Sequence, residues 1–221
     1  RGRALLNGPC TMIDGPEPFG KETAKAAQEL AKTADNAIDA ARGAAEFLNR
    51  VLGNPIADVV GITVADPLRF VRIISLDWYS KRVDEILAKR NTPKPRGAPP
   101  RIALDILEAA QDETRDELKE LWARLLANAM DATTQKNVRI EFITVLKQLN
   151  PLDALILQRL AAVGNFTSPN SFAQAQHLDS NDTATSVLYL LDLKCVEQAA
   201  NGSFSFKLSP RGLSLLKALS I

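Results

Sequence analysis

Histidine, cysteine and methionine are scarce in this chain, with one, two and two residues among 221. A site that needs paired histidines is therefore excluded. Cys10 and Cys195 stand far apart in sequence and are too few for a disulfide framework, which fits a reduced, cytoplasmic setting. Neither sign of charge dominates. Lys plus Arg is 27 against 26 for Asp plus Glu, and a net charge of +1 gives no global attraction to nucleic acid or anionic lipid. Long apolar runs are missing too. The nearest is Val51–Leu76, which Pro55 and Pro67 break and which Arg50, Asp58, Asp66, Arg69 and Arg72 flank or interrupt. A spanning helix needs about 20 mostly apolar residues, so this stretch does not span, although it is apolar enough to insert at an interface. The chain opens Arg-Gly-Arg without Met, as a processed or truncated chain would, and has no apolar start of signal-peptide length. The phosphate-loop and Gly-x-Ser-x-Gly signatures are absent. His177 is near Ser171 and Asp179 in sequence, but helical spacing builds no triad from them. No catalytic residue, metal site or cofactor is expected, and the chain reads as a non-enzyme.

What is present is apolar residue at helical spacing. Hydrophobic residues make up 46% and charged residues 24%, which is ordinary for a globular protein, and the length allows one large domain or two small ones. Residues 1–20 hold several Gly and Pro and read as a flexible arm. A long helix is expected from about Lys21 to Leu52. Ala27, Ala34, Ala41 and Leu48 recur at seven, and Leu30, Ala37, Ala44 and Val51 form a second seam. Such small-residue seams suit packing inside a bundle, and they leave self-association open. Gly53-Asn54-Pro55 ends that helix. Asp66-Pro67 opens the next, to about Arg90, with Phe70, Val71, Ile74, Trp78, Val83, Ile86 and Leu87 inward. Asn91–Pro100 carries four prolines and reads as an extended connector or exposed loop.

Ile102–Ala110 is expected as a helix started by Pro99-Pro100. Leu118–Asp131, LKELWARLLANAMD, is the clearest helix of all. Leu118, Leu121, Trp122, Leu125, Leu126, Ala129 and Met130 form one stripe. Trp122, Leu125, Asn128 and Asp131 are its marked positions, with the Asn128 amide close to the apolar face. Asp112 suits the N-cap, and Glu113, Asp116 and Glu117 suit the positive helix end. Six acidic residues at 108, 112, 113, 116, 117 and 120 lack the order of a calcium loop, so they read as a solvated helix start. Arg139–Asn150 follows, with Ile140, Ile143, Val145, Leu146 and Leu149 inward. Residues 21–150 are thus expected to form a helical domain.

From Pro151 the pattern changes. Helices are expected at Pro151–Val163, Ser168–Leu178 and Asp179–Leu193, then strands Cys195–Ala199 and Ser203–Leu208 around an Asn201-Gly202 turn, then a helix Pro210–Leu219 opened by Ser209. Helix, helix, helix, hairpin, helix is the order of a winged helix, so residues 151–221 are expected to form a winged-helix-like domain. The whole chain is expected to be mainly α. A DNA-reading role is an alternative, with Thr183, Thr185, Lys207 and Arg211 as contacts. Charge argues against it. This stretch has five basic and five acidic residues, and Asp179 and Asp182 stand where a recognition helix would start.

LWARLLANAMD, followed by FITVLKQLNPLDALIL and the closing FKLSPRGLSLL, resembles the abortive-infection alpha family (Abi-alpha) of bacterial proteins, from about Glu22 to Leu219. The resemblance implies a role in defence against phage, with arrest or death of the infected cell. It implies no catalytic residues. The expectation is a cytoplasmic, non-enzymatic phage-defence protein that works through contacts with a protein of phage or host, with self-association open and nucleic acid and membrane disfavoured. A winged-helix transcriptional regulator and a membrane-active effector are the alternatives.

Overall fold

The computed structural model describes residues 36, 38–53, 67–92, 95–166, 168–198 and 205–219. The chain divides into two compact units, Arg1–Asp39 and Ala40–Ile221. Of the first, residues 36, 38 and 39 are described, all helical. The expected arm, the start of the long helix at Lys21, the Asp66 cap and the Asn201-Gly202 turn lie outside the described residues, as do the side chains of Phe70, Val71 and Ile74.

The second unit is mainly helical, with a small antiparallel sheet. In chain order it holds α1 (residues 40–52), α2 (Pro67–Lys89), α3 (Pro100–Ala110), α4 (Asp116–Met130), a 3-10 turn (Gln135–Asn137), α5 (Ile140–Gln148), α6 (Pro151–Val163), β1 (Asn165–Phe166), α7 (Pro169–Gln176), α8 (Ser180–Asp192), β2 (Val196–Gln198), β3 (Phe206–Leu208) and α9 (Pro210–Leu219). The helix α4 is central and packs against α2, α3, α6 and α9. Its stripe is the reason. Leu118, Leu121, Trp122, Leu125, Leu126, Ala129 and Met130 are all buried, and Ala123 and Ala127 bring further faces inside. A helix buried on nearly every side must be wrapped by others. One apolar cluster runs from Phe47 and Val51 of α1 through α4 to Leu215 and Leu219 of α9, so a single core lies on both sides of Pro151.

Short-range chemistry places the later helices. Asn150 and Asp153 form a capping box, with the Asn150 N–H donating to Asp153 at 2.7 Å and Pro151 in the first turn. Ser168 and Ser171 do the same for α7. Asp179 accepts from the Asn181 and Asp182 N–H groups at the head of α8. Ser209 accepts from the Gly212 N–H at the head of α9. These caps satisfy N–H groups that have no partner inside the helix.

Several expectations are corrected. Trp78 is 38% exposed, and Tyr79 takes the buried position instead, its hydroxyl donating to the Ala110 carbonyl at 3.0 Å. Ile140 is exposed, and Phe142 is buried in its place. Asp112 does not cap α4. The N-cap is Arg115, which makes no side-chain capping bond. The nearby free N–H groups of Thr114 and Arg115 are taken by the Glu113 carboxylate at 3.0 Å each. The hairpin gains a third strand, β1. The order is β1-β3-β2, with Asn165 opposite Lys207 and Val196 opposite Leu208. Phe166 of β1 meets Phe172 edge-on at 4.6 Å and so seals this sheet onto α7.

Among its described residues the connector after α2 is partly exposed and is fastened at two points. The Ala98 N–H donates to Val51 at 2.7 Å, and the Arg96 N–H donates to Met130 at 2.9 Å. Gly97 lies so close to Gly53 that a side-chain carbon on it would fall 2.7 Å from the Gly53 Cα. Glycine at both places lets the two backbones touch.

Candidate functional site

The marked positions of α4 converge on its C-terminal end. The last carbonyls of a helix have no partner within it, yet here each of the last four is met. The Asp131 N–H donates to Ala127, the Thr134 hydroxyl to Asn128 at 3.1 Å, the Gln135 amide to Ala129 at 2.8 Å, and the Arg96 N–H to Met130 at 2.9 Å. Asp131, itself buried, turns the chain by accepting from the Thr133 N–H at 2.9 Å and the Thr133 hydroxyl at 2.7 Å. The segment Asp131–Gln135 is therefore a cap built from side chains.

Asn128 joins three helices. Its side chain is fully buried. It accepts from the Arg90 guanidinium at 2.6 Å and donates to the Ala218 carbonyl at 2.6 Å. Arg90 follows the end of α2, and Ala218 lies in the last turn of α9. A buried amide has both donor and acceptor to satisfy, and these two partners do so. Burial pushes the Arg90 guanidinium below its usual range, with Asp131 pulling the other way and Arg124 adding repulsion. Leu125 and Trp122 lie one and two turns earlier, both in the core. The Trp122 indole N–H has no partner, so this residue acts here by packing.

Glu113, Asp116 and Glu120, at the head of α4, are used in ion pairs. Glu120 takes both a forked contact from Arg82 at 2.6 and 2.8 Å and a bond from Arg124 at 2.8 Å. Burial opposes ionisation of Glu120, but these guanidinium bonds prevail and hold its carboxyl below the usual range. Glu113 holds Arg115, and Arg115 reaches on to the Asn150 side chain at 3.2 Å, which ties the α3–α4 loop to the head of α6. Among the described residues, no three His, Cys, Asp or Glu side chains gather as a metal site would require. The arrangement of this end of the molecule holds helices together.

The four residues considered for nucleic acid lie on three elements, α8, β3 and α9. Thr183 is buried, and its hydroxyl donates to the Asp179 carbonyl at 2.7 Å. Thr185 is exposed and bonds back to the Asn181 carbonyl at 2.9 Å. Lys207, on β3, pairs with Glu197 at 3.2 Å. Arg211 is exposed in the first turn of α9. His177 ends α7 in a left-handed conformation.

Cys195 is fully buried, and burial pushes its thiol up to about 11. Its carbonyl accepts from the Ser209 N–H at 3.1 Å. It also sets the identity of Gly212, because a Cβ there would lie 2.0 Å from the Cys195 oxygen. The Ser-Pro-Arg-Gly sequence thus starts α9 and lets it pass against β2.

Sequence reasoning missed one further feature, a groove of about 610 Å³ between the end of α6, β3 and α9. Its lining comes from four separate segments, so no local pattern marks it. No helix among the described residues is long and apolar enough to cross a membrane. The model of a protein family described as abortive infection alpha matches residues 72–217, from within α2 to within α9. The match takes in Asn128 and Arg90 and stops one residue short of Ala218, and it leaves out the opening helix that the sequence resemblance included. No curated protein and no solved structure matches the chain.

Proposed function

The chain belongs to the abortive infection alpha family, and we propose that it serves bacterial phage defence as a non-enzymatic protein that works through contacts with other proteins. One observation carries this reading. The polar groups of the segment that is most recognisable in sequence are consumed internally, with Asn128 bonded to Arg90 and Ala218 and Asp131 bonded to Thr133. Groups used in this way hold a scaffold and leave its surface to act. Large apolar side chains do reach that surface. Leu104, Val163, Leu188 and Leu213 are each more than half exposed.

Residues 151–219 are read here as a winged-helix-like module that makes protein contacts. The order α6, α7, α8, β2, β3, α9 supports it. Thr183 is sealed in the core, and Asp179 and Asp182 place acid at the head of α8, where a reading helix would need groups that suit phosphate. The chain is proposed to act in the cytoplasm.

The test is a phage plating assay with and without the protein, combined with a tagged pull-down during infection. A drop in plating, together with one partner recovered in stoichiometric amount from infected cells, is expected. Protection that persists with no stoichiometric partner and with measurable turnover of a cellular metabolite by the purified protein would contradict the reading.

A further inference from the structure

We propose that the groove between α6, β3 and α9 binds a small anionic amphiphile, a medium-length apolar chain ending in one carboxylate or phosphate. Its volume of about 610 Å³ falls in the range of small-molecule sites, roughly 300–1,000 Å³. The floor is apolar. Leu160, Leu208 and Leu216 are buried beneath it. Leu213 stands 56% exposed at its edge, an apolar surface that an occupant would cover.

The charge of the lining selects the ligand. Among the described residues it includes Lys207 and Lys217 and no carboxylate. Among the described residues the Lys217 ammonium is exposed and makes no ion pair. Lys207 pairs with Glu197 across the strands, but both members are close to half exposed. An exposed pair of that kind is worth ~0–1 kcal/mol and yields readily to a competing anion. Two ammonium groups beside a floor of leucines match a molecule with an acid at one end and a hydrocarbon body. Room for the body exists on the far wall, where Ala161 is exposed and where a Cβ on Gly164 would meet nothing within 4 Å.

The experiment uses the full chain with ¹³C-labelled leucine methyls. It is titrated with sodium decanoate, decyl phosphate and decyltrimethylammonium, each kept below its micelle concentration. Saturable shifts at Leu208, Leu213 and Leu216 are expected with decanoate, decyl phosphate or both, and the two arms tell the head groups apart. The cationic amphiphile should give no saturable shift at these methyls. Lys217→Glu should weaken binding about five-fold, the scale of one partly exposed charge contact. Ala161→Trp, a change at an exposed helix position, should block the groove. Equal response to the cation, shifts spread evenly to Leu104 and Leu188, or binding only to anionic vesicles and never to the free amphiphiles would overturn the proposal. Should Ala161→Trp fail to fold, an affinity unchanged by Lys217→Glu overturns it alone.

Discussion

Asn128 in α4 donates its side-chain amide to the Ala218 carbonyl in α9 at 2.6 Å, across 90 positions of sequence. The last carbonyls of α9 have no partner within their own helix, and this buried amide meets one of them. The same side chain accepts from Arg90 beyond α2. The C-terminal helix is thereby fastened into the core by a polar bond as well as by Leu215, Leu216 and Leu219.

Removing that amide should leave the buried Ala218 carbonyl and the half-buried Arg90 guanidinium without it. Asn128→Ala is expected to destabilise the fold by roughly 1–3 kcal/mol, the range for stranding a buried polar group. Hydrogen exchange should rise first in α9, and denaturant unfolding measures the total. Asn128→Leu fills the volume but strands the same partners, so it should not restore stability. Full restoration by leucine would show that packing alone matters there.

Trp122→Ala should cost about 3–5 kcal/mol, as for other large buried aromatics. Because the indole N–H has no partner, Trp122→Phe loses volume without a hydrogen bond and should cost clearly less. Urea unfolding of the two variants checks the order.

These two residues mark where sequence was informative. Trp122 sits on a stripe that only one helical phase satisfies, so its burial was legible from spacing. Asn128 was visible as an amide near that stripe, but its partners come from helices far along the chain, and no local pattern names them. The α6 and α9 bounds were legible because Asn150-Pro151 and Ser209-Pro210 are strong local start signals. At α2 the apolar residues Trp78 and Tyr79 are adjacent, and hydropathy alone chose the wrong one. β1 is two residues long and has no alternation to read. Asp112 is a good capping residue by type, yet Glu113 reached the free N–H groups. The fastening of Gly97 to Gly53 is a meeting of two backbones, which leaves no trace beyond two glycines.

Gly212→Ala should be severely destabilising, since the new methyl would fall 2.0 Å from the Cys195 carbonyl, a backbone atom that must move with β2. A cost at or above ~1–3 kcal/mol is expected, the scale of overpacking a filled site. Leu213→Ala, one residue on and exposed, should be close to neutral. Thermal melts of both variants measure the contrast.

The Cys195 thiol is pushed up by burial, from an ordinary value of 9.0 to about 11. A raised acid keeps its proton in the fold after the unfolded chain has lost it. Stability from this group is therefore whole below about pH 9 and declines as pH rises toward about 11. Cys195→Ala should flatten the onset of the decline just above pH 9, before most tyrosine in the unfolded chain ionises at its ordinary value of 10.0. An unchanged slope would contradict the burial account. Slow reaction with iodoacetamide at pH 8 in the native state is expected for the same reason.

The central claim is that this scaffold serves abortive infection. The most direct measurement is the growth of cells carrying the full chain, infected at low and at high multiplicity, with phage release counted in both. The account expects the culture to survive at low multiplicity and to collapse or arrest at high multiplicity, with little phage released in either case. Normal phage yields, or full survival of every infected cell at high multiplicity, would contradict it.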